Sequence, residues 1–263
     1  MKVTLLSWNV AGRVQRQPEQ AALIAELTPD VVCLQEVRPT TASAWTTALK
    51  DAGWPYIALA QATNADAGDA DRRLAVLTAS RTPLAEIELE IDHDLPWPER
   101  VLATDLDGLH LVNFHSPISP KPNLVKVRTH VALHAHLAAG HGPRALCGDL
   151  NTPRREHPDG RVWTFARTSR GKLRPERGER WDQAELALIK GLERYGFCDA
   201  FRALHGYERK ELSWQWQRWG GGYRLDHLIV SAEIDVDSVE YLHAWRQEAG
   251  LSDHSPLLAD IRW

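Results

Sequence analysis

Gly148-Asp149-Leu150-Asn151 places a carboxylate and an amide two residues apart, directly after the apolar run Ala145-Leu146-Cys147 and directly before Thr152 and Pro153. In extended geometry two such residues point to one side of the chain. A base and a hydrogen-bond donor held together at a sheet edge suit an attack on phosphorus, given a metal and a histidine from elsewhere. The residues that close other apolar runs are the candidates for that company. Ser7, Trp8 and Asn9 end the stretch that begins at Val3, and Gln35 and Glu36 follow Val31 to Leu34. Ser252-Asp253-His254-Ser255-Pro256 precede the last apolar stretch, Leu257 to Ile261. Magnesium takes oxygen ligands, keeps several waters and is usually held by one or two carboxylates plus substrate phosphate. Glu36, Asp253, Asn9 and Asn151 fit that description, and no cysteine cluster is available for zinc.

Taken in order, Ser7-Trp8-Asn9-Val10, Leu34-Gln35-Glu36, Gly148-Asp149-Leu150-Asn151, Arg224-Leu225-Asp226 and Ser252-Asp253-His254 resemble the endonuclease/exonuclease/phosphatase superfamily over essentially the whole chain. A single tetrapeptide matches by accident, whereas five in the family's order make chance a poor explanation. The resemblance implies a Mg2+-dependent phosphodiesterase, with Mn2+ as the alternative ion. By it, Glu36 would hold the metal, with Asn9, Asn151 and Asp253 helping directly or through water. Asp149 would orient or deprotonate the attacking water, and Asn151 would donate to the nucleophile or to a phosphate oxygen. His254 would stabilise the growing negative charge, while Asp226 holds its imidazole in the required tautomer and keeps it cationic. The metal would act as Lewis acid and as template for in-line displacement.

Two departures separate the chain from exonuclease III-like enzymes. Where those enzymes carry a tyrosine, the stretch here reads Val112-Asn113-Phe114-His115-Ser116-Pro117, which is similar to the DNase I-like, sphingomyelinase-like and deadenylase-like branches. His115 would donate a hydrogen bond to the phosphate or the leaving oxygen. Ala11 stands where an aspartate often follows the Asn-Val pair. Other features resemble the exonuclease III-like branch. Gly196-Phe197-Cys198-Asp199-Ala200-Phe201-Arg202 resembles its turn after the late helix, and Leu212-Ser213-Trp214 with Gly220 to Asp226 resembles the part that accommodates an extruded abasic sugar. The resemblance makes Trp214, Tyr223 and Leu225 the walls of a small apolar pocket beside the scissile phosphate.

The chain carries 31 Lys+Arg against 35 Asp+Glu, a formal charge of -4, which is not the footprint of a strongly basic nucleic-acid binder. The distribution is uneven. Between Arg154 and Arg180 lie nine basic residues, among them Arg170, Lys172 and Arg174, against four acidic ones. A mobile basic segment beside the site would contact phosphates flanking the scissile one, as DNA requires and a small phosphate ester does not. The acidic residues Glu86, Glu88, Glu90, Asp92 and Asp94 read as a remote edge strand on which charge discourages sheet-to-sheet pairing.

The elements that must carry these residues follow from the pattern. Strands are expected near 2 to 9, 31 to 36, 55 to 60, 74 to 79, 86 to 91, 101 to 106, 110 to 115, 144 to 149, 212 to 217, 224 to 230, 236 to 243 and 256 to 262. Helices are expected near 18 to 27, 40 to 51, 123 to 139 and 181 to 195. The third has Asn123 as cap, a stripe of Leu124, Val127, Val131, Ala135 and Ala138, and Gly140 beyond its end. His130 and His134 have the spacing of a helical zinc pair, but without a third ligand they read as a solvated face. Many strands with few long helices suggest two sheets packed face to face. The resemblance implies a four-layered α/β sandwich of two mostly antiparallel sheets flanked by helices.

At 263 residues no linker divides the chain, and residues from Asn9 to His254 must meet, so a single catalytic domain over 1–263 is expected. Hydrophobic content of 43% and 11 tryptophans supply a substantial core. Cys33, Cys147 and Cys198 lack paired spacing and read as buried residues in a reducing compartment. With no signal-peptide pattern and no apolar run of spanning length, the expectation is a cytoplasmic protein without membrane contact or an obligate protein partner. The preferred reading is a DNA nuclease with abasic-site or 3′-end processing activity. The alternatives are a metal-dependent phosphatase or phosphodiesterase on a small molecule or lipid headgroup, and an inactive binding module.

Overall fold

Alternation along each strand sorts the apolar residues onto two faces, and that sorting builds the layers. The computed structural model describes residues 1–60, 74–89, 95–118, 124–216, 218 and 220–263. In β1 (Lys2–Asn9), Val3 and Leu5 face one core, whereas Leu6 and Trp8 face another. One six-stranded sheet has the order β15 (Asp235–Tyr241), β16 (Leu257–Arg262), β1, β2 (Val31–Val37), β4 (Ala75–Ser80), β3 (Tyr56–Leu59). The second has the order β11 (Phe197–Asp199), β14 (Asp226–Ser231), β8 (Arg144–Asp149), β7 (Leu109–His115), β6 (Val101–Leu106), β5 (Ala85–Ile87). Two-residue strands pair as β9 (Arg155–Glu156) with β10 (Val162–Trp163), and β12 (Trp214–Gln215) with β13 (Gly222–Tyr223).

Each large sheet is antiparallel except for one central parallel pair, β1 with β2 and β7 with β8. The core between the sheets includes Leu5, Cys33, Leu111, Cys147, Leu228 and Ala259. On the outside of the first sheet, α1 (Gln17–Leu27) and α2 (Pro39–Asp51) bury Ile24, Trp45 and Leu49 against Trp8 and Leu34. On the outside of the second, α3 (Val125–Ala139) and α4 (Gly178–Ile189) bury Leu133, Leu137 and Leu188 against Phe114 and Leu146. These four layers are the expected α/β sandwich. Short helices α5 (Ala200–His205) and α6 (His243–Gln247) complete the chain. No helix among the described residues is long and apolar enough to cross a membrane.

Several expectations are corrected. The helix expected over 181 to 195 is α4 followed by a 3-10 turn, Gly191–Tyr195, because Lys190 leaves helical geometry. Of the strand expected over 212 to 217, the described residues 212–216 form only β12, and residue 217 lies outside the described residues. The phase of α3 also differs: Val131 is 53% exposed, while Lys126, His130, Leu133 and Leu137 are buried. Polar residues with partners occupy that face, so periodicity of apolar residues alone selects the wrong stripe. His130 is therefore not on a solvated face; its Nε2 sits 2.7 Å from Ser116 Oγ. Cys198 is exposed, whereas Cys33 and Cys147 are buried as expected, and all three are free thiols. β5 is the edge strand, with Glu86 and Glu88 exposed. Glu90, Asp92, Asp94 and the expected cap Asn123 lie outside the described residues.

Candidate active site

The C-terminal ends of the two parallel pairs come together at one edge of the sandwich. Asn9 lies opposite Gln35 at the end of β1 and β2, and His115 lies opposite Asp149 at the end of β7 and β8. Asn9 joins the sheets: its Nδ2 donates to Glu36 Oε1 at 3.1 Å and to Asp149 Oδ2 at 2.9 Å. Beneath it, Gln35 Nε2 crosses to Asn113 Oδ1 at 2.8 Å. The third contributor is β14, whose antiparallel register puts Asp226 beside Asp149. The loop before β16 supplies His254, fixed by Trp8 Nε1 donating to its carbonyl and Ser252 Oγ donating to the Asn9 carbonyl.

Local backbone geometry explains why these residue types stand where they do. Glu36 and Asn151 adopt left-handed conformations, φ 60° and 48°, which a side chain with a Cβ enters only when its surroundings hold it. For Asn151 that hold is visible. Its N–H donates to Asp149 Oδ1 at 2.8 Å, its Nδ2 to the Ser116 carbonyl at 2.9 Å, and its own carbonyl accepts from Lys126 Nζ at 2.7 Å. Lys126 is in turn paired with buried Glu185 at 2.8 Å. Gly148 is needed because a Cβ there would lie 2.0 Å from the Phe114 carbonyl oxygen. Any side chain at 148 would push β8 off β7 and carry Asp149 with it.

The charges are arranged around one oxygen. Asp149 Oδ2 lies 3.9 Å from His115 Nε2 and 3.8 Å from His254 Nε2. Burial pushes the Asp149 carboxyl up to about 7, with His254 pulling against the rise and Asp226 and Glu36 adding to it. Burial also opposes charge on His254, but Asp226, whose Oδ2 lies 2.8 Å from His254 Nδ1, raises its pKa to about 10 with help from Asp149. His254 is thus cationic. His115 goes the other way: burial, Arg100 and His254 lower its pKa well below the ordinary imidazole value, so it is neutral. Among the described residues, Asp226 Oδ1 is buried without a hydrogen-bond partner. Ligand-type atoms of Glu36, His115 and Asp149 lie within 4.8 Å of one another, as do those of Asp149, Asp226 and His254.

The site therefore brings together Asn9, Glu36, His115, Asp149, Asn151, Asp226 and His254. Asp253 belongs to neither ligand cluster among the described residues; its Oδ2 accepts from Trp214 Nε1 at 2.9 Å. Trp214 bridges to His254 across a single β-bridge and so abuts the site. Its ring lies parallel to Tyr223 with centroids 5.9 Å apart, and Trp216 and Phe165 pack edge-on against Tyr223. Leu225 is buried; its N–H donates to Ser213 Oγ and its carbonyl accepts from Leu150. The arginine-rich segment is folded rather than a free arm. Arg167 grips Asp182, and Arg174 Nε donates to the Arg167 carbonyl at 3.3 Å, while Arg170 and Lys172 stay exposed.

Sequence reasoning missed the groups that brace the site, including Arg100, Ser116, Lys126 and Ser213. It also missed a buried ion network. Glu156 accepts bidentate bonds from both Arg202 (3.0 and 2.6 Å) and Arg224 (2.9 and 2.7 Å). Arg224 also reaches Asp199, and His227 links Asp199 to the Thr152 carbonyl just past Asn151. Burial pushes the Glu156 pKa up, but Arg224 and Arg202 hold it at about 2. Its folded value is depressed, so its stabilisation is present above the unfolded pKa of about 4.3 and is lost as pH falls through about 2. Glu156→Gln should cost about 3 kcal/mol, because it leaves buried guanidinium charge uncompensated. Calorimetry should show that loss at neutral pH and a flatter acid limb. An unchanged melting temperature at pH 7 would show that the network contributes nothing to stability.

The sequence model of the Endonuclease/Exonuclease/phosphatase family matches residues 6–254. No curated protein sequence matches the chain. Among solved structures, the fold is similar to an AP endonuclease from Archaeoglobus fulgidus, with TM-score 0.73 and 17% identity over 98% of each chain. It is similar to a 3′-5′ exonuclease from Neisseria meningitidis, with TM-score 0.71 and 21% identity over 99% of this chain and 100% of that one. It is also similar to a humanized D. rerio TDP2 carrying 14 mutations, with TM-score 0.66 and 19% identity over 100% and 99%. At these identities the likeness is one of fold.

Proposed function

Because the chain belongs to the Endonuclease/Exonuclease/phosphatase family, whose members hydrolyse phosphoester bonds, we propose that it is a Mg2+-dependent phosphodiesterase that cuts DNA and that residues 1–263 form its one catalytic domain. Mn2+ is the alternative ion. The observation that carries this reading is the pair of imidazole Nε2 atoms flanking Asp149 Oδ2 at 3.9 and 3.8 Å, beside Glu36.

The residues fit a hard cation. Glu36 presents a partly exposed carboxylate at the rim beside Asp149, so carboxylate oxygens predominate, while Asn9, expected among the ligands, turns its Nδ2 toward these two groups and its Oδ1 to the Ala11 N–H. Burial first, and then Asp226 and Glu36, push the Asp149 carboxyl up to about 7 against the pull of His254, so added positive charge beside Asp149 would favour its ionised form. When bound, the ion would supply Lewis-acid charge stabilisation. The chain's own groups do the rest. Asp149 takes the proton of the attacking water, held in place by the Asn9 and Asn151 donors. His254, kept charged by Asp226, faces the oxygens that gain negative charge, and His115 adds a neutral donor from the opposite side.

DNA is the preferred substrate class for two reasons. Arg170 and Lys172 are exposed on the arginine-rich segment, and by the resemblance Trp214, Tyr223 and Leu225 would form an apolar wall against a base-less sugar. Abasic-site or 3′-end processing is the sharpest form of the reading. Replacing Arg170, Lys172 and Arg174 together by alanine should weaken duplex binding and reduce its log–log salt slope by roughly two to three. An unchanged slope would return the segment to an ordinary solvated loop. A second reading, hydrolysis of a small phosphodiester or lipid headgroup, draws support from His115 in place of tyrosine. The inactive-module reading requires missing carboxylates, and Glu36, Asp149, Asp226 and Asp253 are all present. A cytoplasmic setting accords with the three free thiols.

A further inference from the structure

Arg100 ends the 3-10 turn Pro98–Arg100 that leads into β6, and its guanidinium stacks on the Trp97 ring at 4.7 Å. Among the described residues it forms no ion pair with a carboxylate, although Glu36, Glu99 and Asp149 are close enough to favour its charge. Its Nη1 instead lies 3.4 Å from His115 Nδ1. A guanidinium carries donors only and stays protonated in proteins, so the nitrogen that meets it must be the accepting one. On the opposite edge of the ring, His115 Nε2 faces Glu36 Oε1 at 3.5 Å and Asp149 Oδ2 at 3.9 Å. With Nδ1 taken up as the acceptor, the ring's one proton sits on Nε2, the edge that faces these two carboxyl groups. The Arg100 contact thus selects the tautomer, and the side chain is 5% exposed, which leaves it little room to turn away.

We propose that Arg100 is a positioning residue that locks His115 as the neutral Nε2–H tautomer, so that the imidazole presents one hydrogen-bond donor to the substrate phosphate. The identity of that acceptor rests on the phosphodiesterase reading; the tautomer does not. The charged groups facing His115 are Arg100, Glu36, Asp149 and His254. Within that set the two histidines have opposite supports. Asp226 accepts from His254 Nδ1 and makes His254 a cationic Nε2–H donor, whereas Arg100 donates to His115 Nδ1 and makes it a neutral one. Two donors then converge on the space beside Asp149 Oδ2 with only one added positive charge. A second imidazolium there would strip Asp149 of basicity, and a His115 in the other tautomer would offer the phosphate a lone pair.

The test is side-chain 15N NMR of the full chain labelled at histidine, with His115 assigned by its absence in His115→Gln. In the wild type without substrate, Nε2 should show the protonated pyrrole-type signature and Nδ1 the unprotonated, hydrogen-bonded pyridine-type one. In Arg100→Met, Nδ1 should move toward the position of a free pyridine-type nitrogen. Turnover by Arg100→Met should fall about tenfold in kcat with KM within about threefold, as when an outer partner of an active imidazole is removed. A wild-type His115 protonated at Nδ1 overturns the proposal without any substrate, as does an Nδ1 signal that ignores the substitution. A rise in KM with unchanged kcat and an unchanged tautomer would make Arg100 a direct substrate contact and overturn it too. Failure to find phosphodiesterase activity touches none of the wild-type NMR outcomes, so the two readings fail separately.

Discussion

Asp149→Asn should lower kcat by at least about a thousandfold, the scale expected when the base of a general-base step is removed from a site that keeps its other groups. Asparagine retains the shape and one acceptor, so the Asn151 N–H found at 2.8 Å from Asp149 Oδ1 still has a partner. The new amide, however, would face Asn9 Nδ2, which now donates to Asp149 Oδ2 at 2.9 Å. Two donors in contact should cost about 1–2 kcal/mol of stability, partly offset because a buried carboxylate is no longer required. A folded, substrate-binding and almost inactive enzyme is therefore expected, measured by single-turnover kinetics beside thermal unfolding. Turnover within tenfold of wild type would remove Asp149 from the role of base.

Glu36→Gln should raise the metal concentration needed for half-maximal activity at least about a hundredfold, while the melting temperature stays nearly unchanged. The glutamine keeps an oxygen for Asn9 Nδ2, which lies 3.1 Å from Glu36 Oε1, and the side chain is only partly buried. What it loses is the negative charge that a hard cation needs. Direct titration with Mn2+ followed by EPR reads the loss without depending on turnover. The same titration on Asp253→Asn should show a much smaller shift, because that carboxylate is engaged with Trp214 Nε1. Equal shifts in the two variants would put Asp253 among the ligands after all, and no shift in Glu36→Gln would move the ion elsewhere.

Four of the candidate site groups are legible in the sequence because each closes an apolar run. A polar residue that directly follows an apolar run marks the end of a strand's core-facing stretch, so Asn9, Glu36, His115 and Asp149 stand out by position along the chain. Their meeting follows from two parallel pairs whose C-terminal ends share one edge, which chain order alone does not reveal. The bracing groups are not legible in that way. Lys126 and His130 look like solvent-facing positions of a helix, and only the nearby Glu185, Asn151 carbonyl and Ser116 make them buried. Arg224 reads as part of a motif next to Asp226, yet its guanidinium faces away into the Glu156 and Asp199 network. Short elements such as α5, capped by Asp199 accepting from the Arg202 N–H, carry too few residues for a periodic signal. Arg100 leaves no trace in the sequence, because its partner is a ring on a neighbouring strand rather than a residue at fixed spacing.

Metal-dependent attack on a DNA phosphodiester is most directly tested by incubating the enzyme with an end-labelled duplex carrying one abasic-site analogue, an intact duplex and a small aryl phosphodiester, each with Mg2+ and with chelator. Incision of DNA that requires Mg2+, strongest at the abasic position and lost in Asp149→Asn, is the expected result. Cleavage of the small ester alone would contradict the DNA assignment while leaving the Asp149 and His254 chemistry standing. Full activity in chelator would contradict the metal-dependent mechanism itself.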